Sequence, residues 1–379
     1  MKEPKPLSRV SLSGMGVEIP PDVITNEELV ESYNRWVETE NPRRARRGED
    51  PLAPSDADFI LHASGIRQRH VYERAGILDP ERMAPFIPAR DDASLSVMAE
   101  FGAKAAEKAL ADAELSGRDI DLVICSAAHH QRPYPALGIE IQQALGAQGA
   151  AFDMNLGCSS ALGGLHTAVN LLRAGAHQRA LVITPELITG HLNFRDRQTH
   201  FIFGDASVAV VVEAMDEGAE RPGAFEIVDT RLWTKFSSNI RTNFGFLSRL
   251  AQEDPSALDM AGNLIKQSGN KVFKEVTVAG HRFIVDFLAE HGHTPHTMRR
   301  FWLHQANKRM NAMILKLAFG EEVGQDRAPT VLEELGNTAA AGAIIALEKN
   351  HRDMQSGDFG LLCAFGAGYS IGGALLRMM

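Results

Sequence analysis

The sequence is short of aromatic residues, of cysteine and of long apolar runs. Phe, Trp and Tyr together make up 7% of it, and only 3 of its 379 residues are cysteine. Three cysteines in a chain of this length exclude a disulfide framework. No apolar run is long enough to cross a bilayer. The first residues, MKEPKPLSRVSLSGMG, lack the apolar core of a signal peptide. Positive charge is also in deficit: 39 Lys and Arg against 48 Asp and Glu leave a formal net charge of −9. That balance argues against a general nucleic-acid binder. Together these absences point to a cytoplasmic protein with neither membrane nor nucleic acid as partner.

What is present is an apolar chain rich in small residues, 44% hydrophobic with 33 glycines, which suits helices packed closely onto sheets. Its length exceeds one ordinary domain, so two cores or one large layered core is expected. The runs DLVICSA, AFDM, ALVITPE and SVAVVVE, then FWLHQ, GLLCAFG and IGGALLRM, alternate with helical patterns. Such alternation predicts an α/β fold with largely buried strands. Cys125 and Cys363 lie inside two of these runs and read as core residues.

The chain also repeats itself. LGCSSALGGLHTAVNLLRAGAHQRALVI, from Leu156, resembles LGNTAAAGAIIALEKNHRDMQSGDFGLLCAF, from Leu335. Upstream, ALADAELSGRDIDLVICSAAHH matches FLAEHGHTPHTMRRFWLHQAN; downstream, FGDASVAVVVE (203–213) matches FGAGYSIGGALLR (365–377). Three echoes in one order predict two pseudo-equivalent halves, 1–222 and 223–379, packed face to face. Two stretches break the pattern. Residues 39–59, TENPRRARRGEDPLAPSDADF, read as a polar surface excursion, with Arg43, Arg44, Arg46 and Arg47 on a solvated loop face. Residues 190–205 make the first-half loop longer than its counterpart and suit a substrate-covering loop.

Cys158 sits in NLGCSSALGG, where a strand gives way to a helix. Free N–H groups and the helix dipole favour an anion there, which predicts a lowered thiol pKa and a better nucleophile; a small apolar residue in a tight turn is the other reading. In the repeat Cys158 aligns with Asn337, so facing halves would bring both into one cleft, with His304 on the turn after FWL. A thiolate can take an acyl group from a thioester. His Nε2 and an Asn amide can both donate to one carbonyl oxygen and stabilise an enolate. Asn337 could equally cap a helix, and His304 a turn. The order Cys, His, Asn is also that of papain-like proteases. Cys158, however, lies mid-chain outside their C-G-[SA]-C-[WY] signature, and a duplicated fold has no place there.

GCSSALGGL, HQANKRM and LGNTAAAG, with FGDASVA and the terminal FGAGYSIGGALLR, resemble the β-ketoacyl-acyl-carrier-protein synthase III family over nearly the whole chain. The resemblance implies a thiolase-like fold, a duplicated five-layer αβαβα arrangement, a homodimer, and no metal or redox cofactor. It implies that Cys158 takes the acyl group of an acyl-CoA while the backbone amides of Cys158 and Ala367 hold the oxyanion. His304 and Asn337 would then hold the thioester carbonyl of malonyl-acyl carrier protein as CO2 departs, a condensation that initiates fatty acid biosynthesis. By the same resemblance Arg309 contacts the carrier protein. Arg197 and Phe59 lie at the adenine end of CoA, and Tyr134 walls the acyl tunnel from across the dimer.

Three departures stand out: Ala63 where the family often has an arginine, Ala367 within the glycine loop, and the long excursion at 39–59. Loss of a phosphate contact at Ala63 implies weaker CoA binding or a carrier-protein donor. The excursion, with the altered tunnel turn HHQRPYPALG, looks more like the branch primed by medium-chain acyl groups, about eight carbons long, than the acetyl-primed branch. Two further readings are a thiolase-fold acyltransferase of specialised metabolism, passing the acyl group to another acceptor, and a catalytically silent partner subunit. The intact Cys, His and Asn favour decarboxylating condensation over both.

Overall fold

Mostly buried apolar runs build one nine-stranded sheet among the described residues. The computed structural model describes residues 9–243, 245 and 264–379; the reading of residues 1–8 as free of a leader lies outside the described residues. In chain order the sheet's strands are β1 (Arg9–Glu18), β4 (Leu122–Ser126), β5 (Ala150–Met154), β6 (Arg179–Glu186), β7 (Ala206–Met215), β8 (Phe225–Thr234), β11 (Arg300–Leu303), β12 (Phe359–Gly366) and β13 (Ser370–Met378). Their spatial order is β11-β12-β13-β8-β1-β7-β6-β4-β5. Two small hairpin sheets join β2 (Asp22–Thr25) to β3 (Gln68–Val71) and β9 (Ile240–Arg241) to β10 (Lys266–Gln267).

The duplication is written in the pairing. From β1 outward, β7 and β6 follow antiparallel and β4 parallel. From β8 outward, β13 and β12 follow antiparallel and β11 parallel. The two arms meet where Ser11 and Leu12 pair with Glu226 and Phe225. Helices α6 (Ser160–Arg173) and α10 (Gly342–Lys349) are mostly buried and fill the space between the arms. Outside them, α4 (Val97–Asp112) and α5 (Leu137–Leu145) cover one arm, and α7 (Gly269–Glu290) and α8 (Lys308–Phe319) the other. The result is five layers, helix-sheet-helix-sheet-helix. Cys125 and Cys363 are buried strand residues, as the apolar runs around them require.

The excursion at 39–59 corrects the sequence reading. Helix α1 (Asn26–Arg47) runs through its first nine residues, leaving a loop only at 48–56 before α2 (Ala57–Ser64). A capping box links Thr25 with Glu28, and Arg44, Arg46 and Arg47 occupy the last turn, where cations suit the helix dipole. Gly48, at φ +71°, ends the helix in the left-handed region. Arg43 and Arg47 pair with Glu40, and Arg44 with Glu49, so these arginines belong to a helix end and not to a loop. Pro42 removes one helical N–H, opposite the exposed Glu38. Two short helices, α3 (Ala75–Leu78) and α9 (Leu332–Leu335), are also present among the described residues.

The loop at 48–56 is tied down by polar contacts. Ser55 and Asn34 exchange hydrogen bonds of 2.8 and 3.1 Å, and the Ser55 hydroxyl meets His200 Nε2 at 3.1 Å. His200 is one of four histidines that burial holds neutral, pushed down to about 3, with His129 at about 3 and His191 and His304 at about 4. In the unfolded chain a histidine protonates near pH 6.5. Below that pH the unfolded state binds protons that the folded state refuses, so stability falls as pH drops from 6.5 toward 4. The buried Glu186 and Asp205, raised to about 8 and about 6, gain stability over the same window and offset about half of this. The expected result is a melting temperature lower by roughly 2–5 °C at pH 5 than at pH 7. Differential scanning fluorimetry checks it, and His200→Gln should flatten part of the slope.

Candidate active site

The turn 155–159 joins β5 to α6. Asn155 shapes it by accepting from the Gly157 N–H at 2.9 Å and donating to the Ala128 carbonyl at 2.6 Å. Gly157 takes φ +56°, a conformation that disfavours a side chain. Cys158 follows, two residues ahead of α6 and partly accessible. The glycine loop after β12 lies directly on this turn. A Cβ on Gly366 would come within 2.8 Å of the Cys158 nitrogen, so only glycine permits the approach.

The backbone amides of Ala367 and of Cys158 itself both act on the Cys158 sulfur. Both favour a thiolate, yet burial and the nearby Glu186 carboxyl outweigh them and push the thiol up to about 12. The expectation of a lowered pKa is therefore corrected: in a closed pocket the cost of desolvating the anion exceeds what two amides and a helix start return. Cys158 rests as a thiol.

His304 follows β11 directly, and its N–H donates to the Cys363 carbonyl at 2.9 Å. Its ring is buried and neutral, with Nδ1 left without a partner. Asn337 lies on the turn after α9, bridged to Phe203. Its Oδ1 accepts from the Ala339 N–H at 3.0 Å, which leaves its amide nitrogen free to donate. Helix α10 begins only at Gly342, so Asn337 is not that helix's cap.

Cys158, His304 and Asn337 line one cleft of about 450 Å3. Phe201, Ile202 and Phe203, from the long first-half loop, wall one side, and Val272, Phe273 and Val276 of α7 the other. A nucleophile, two hydrogen-bond donors and an amide facing the sulfur thus share a largely apolar channel. That set suits acyl transfer through a covalent thioester and stabilisation of a carbanion-like centre.

Family models for 3-oxoacyl-[acyl-carrier-protein] synthase III match residues 152–230, and for its C-terminal part residues 288–378. The β-ketodecanoyl-[acyl-carrier-protein] synthase of Pseudomonas aeruginosa is 45% identical over 352 residues, covering 92% of this chain and 99% of that one. The chain belongs to the 3-oxoacyl-[acyl-carrier-protein] synthase III family. The β-ketoacyl-[acyl-carrier-protein] synthase III of a Chelativorans species is 32% identical, with 97% and 99% covered. Among solved structures, the priming β-ketosynthase of the R1128 polyketide pathway superposes with a TM-score of 0.77 at 23% identity, covering 100% of this chain and 99% of that one. The Pseudomonas aeruginosa synthase III does so at 0.75 and 23%, covering 97% and 98%. These establish the thiolase-like fold. As a synthase III, the protein is an acyl-transferring condensing enzyme.

Of the other residues singled out in the sequence, Arg309 and Ala63 line this cleft and Arg197, Phe59 and Tyr134 do not. Arg309, on the first turn of α8, lines it and donates to His62 Nε2 at 2.8 Å. Ala63 is a lining residue whose carbonyl accepts from Asn307 at 3.2 Å. Arg197 and Phe59 come together outside the lining, with the guanidinium 5.2 Å from the ring centroid and also donating to the Pro54 carbonyl at 2.7 Å. Tyr134 is 80% exposed and lies away from this chain's own cleft. Sequence reasoning did not single out Glu186, an acid ending the buried strand ALVITPE. Its signal was there: a carboxylate closing a run of apolar residues needs an explanation.

Proposed function

We propose that the protein condenses a medium-chain acyl primer with malonyl-acyl carrier protein by way of an acyl-Cys158 intermediate. The observation that carries this is the Ala367 amide on the Cys158 sulfur, in a cleft shared with His304 and Asn337. The Cys158 sulfur attacks the primer thioester, its proton leaves with CoA, and the amides of Cys158 and Ala367 hold the tetrahedral oxyanion. His304 Nε2 and the Asn337 amide hold the malonyl thioester carbonyl while CO2 departs, and the enolate carbon displaces Cys158. The product is a β-ketoacyl chain two carbons longer on the carrier protein, and no cofactor takes part.

Primer length follows from the relative with 45% identity, whose named product is β-ketodecanoyl; a two-carbon extension makes that acyl group from an octanoyl primer. Cys158 packs beside a cluster that includes Ile188, Leu192, Phe194 and Phe201, an environment suited to an alkyl chain. Arg309 serves the carrier protein, Arg197 and Phe59 the CoA end, and a partner's copy of Tyr134 completes the acyl tunnel in a cytoplasmic homodimer. The test is to incubate the enzyme with acyl-CoAs from two to sixteen carbons and weigh the Cys158 peptide. Fastest loading near eight carbons is expected. A maximum at acetyl-CoA overturns the primer assignment, and loading only from acyl-carrier protein reassigns the donor.

A further inference from the structure

Glu186 ends β6 and is fully buried. Its Oε1 accepts from two amides, Ala128 at 2.8 Å and Ala340 at 3.4 Å, while its Oε2 is buried with no partner. Those amides belong to different halves of the duplication. Ala128 follows β4 and holds, through its carbonyl, the Asn155 side chain that shapes the Cys158 turn. Ala340 adjoins Ala339, whose N–H fixes the Asn337 amide. One carboxyl oxygen thus links the nucleophile's turn to the turn of an enolate-holding residue.

We propose that Glu186 is a positioning residue of the condensation: it locks the Cys158 and Asn337 turns in register. Because its Oε1 holds the Ala128 amide, and the Ala128 carbonyl holds the side chain that shapes the Cys158 turn, its charge when ionised also opposes a thiolate there. The proposal rests on the reaction assigned above.

The surroundings explain why the group is suited to this. Burial raises Glu186 to about 8, against the pull of its two amides. The charged group acting on it is Asp205, itself buried, raised to about 6 and satisfied by Thr189 and the Tyr72 amide. Cys158 and Cys125 both feel the Glu186 charge. His129, next in the chain to Ala128, stacks on His191 at 3.9 Å, and burial holds both neutral. Raised by burial and by the Asp205 charge, Glu186 carries a proton at neutral pH, and the unpartnered Oε2 is the oxygen left to bear it.

The test uses Glu186→Gln and Glu186→Ala in the full-length enzyme, with melting curves to confirm folding. Cys158 alkylation by iodoacetamide, followed from pH 6 to 10.5 on the Cys158 peptide, needs no substrate. The wild-type rate should flatten near pH 8 as Glu186 ionises, then climb again. Glu186→Gln should lose that shoulder and react at least about threefold faster than wild type at pH 9.5. In condensation assays Glu186→Ala should lower kcat roughly ten- to a hundredfold with KM little changed. Gln keeps the accepting oxygen and should recover most of that loss at pH 7. Superimposable alkylation profiles for Gln and wild type overturn the electrostatic half of the proposal, and equal kcat losses in Gln and Ala overturn the positioning half. Failure of the condensing reading itself would show as no turnover in wild type, with the alkylation comparison still intact.

Discussion

Cys158→Ala should carry no acyl group and should lower condensation by at least about 10³-fold. The effect is large because, in the reaction proposed above, both halves run through one sulfur: it receives the primer and is the leaving group when the enolate attacks. The variant should fold, since the turn is shaped by Asn155, Gly157 and the glycine loop and not by the thiol. Its melting temperature should stay close to that of wild type. Malonyl-carrier protein should still lose CO2 in the variant, because the groups assigned to that step, His304 and Asn337, are untouched. Intact and peptide masses after incubation with octanoyl-CoA check the first part, and released CO2 the second. An adduct that persists in Cys158→Ala would move the nucleophile elsewhere. In wild type the thiol, pushed up to about 12, is protonated through the physiological range, so its alkylation should still be rising at pH 10.5.

The elements positioning this chemistry were legible in the sequence where local pattern and global packing agree. Buried runs such as DLVICSA and SVAVVVE became strands, and the internal echo between Leu156 and Leu335 reappeared as two sheet arms with the same order of pairing. The echo also placed Cys158 and Asn337 in one cleft, which neither residue's own neighbours could do. Failures occurred where composition pointed away from structure. PRRARR reads as loop by charge and proline, yet it finishes a helix whose cap lies far upstream at Thr25. The Cys158 thiol was misread for a different reason. Its helix start is local and visible, whereas the burial that overrides it comes from the glycine loop, α7 and Glu186, all distant in the chain. Glu186 itself was legible only as an acid at the end of a strand, because the two amides it joins come from opposite halves.

His304→Ala should lower malonyl decarboxylation by about 10²- to 10³-fold while Cys158 still loads its primer. The reasoning is electrostatic. Negative charge that develops on the thioester oxygen as CO2 leaves must be met by donors already in place. The cleft offers the His304 ring and the Asn337 amide, the latter oriented by the Ala339 N–H on its Oδ1. For the ring to donate from Nε2 it must stay in the Nε2–H form with its lone pair on Nδ1, the nitrogen left without a partner. Burial lowers the ring to about 4, so this neutral form persists across pH 5–9, and decarboxylation should show no inflexion near 6.5. An inflexion there that disappears in His304→Ala would sink the assignment. Asn337→Ala should fall in the same range, and the double variant tells whether the two donors share one oxygen. Independent donors would multiply their losses; donors converging on a single oxyanion should lose less together than that product, because once one is gone the oxygen is misplaced for the other. Rates of CO2 release for the four enzymes, with acyl loading measured in parallel, complete the cycle.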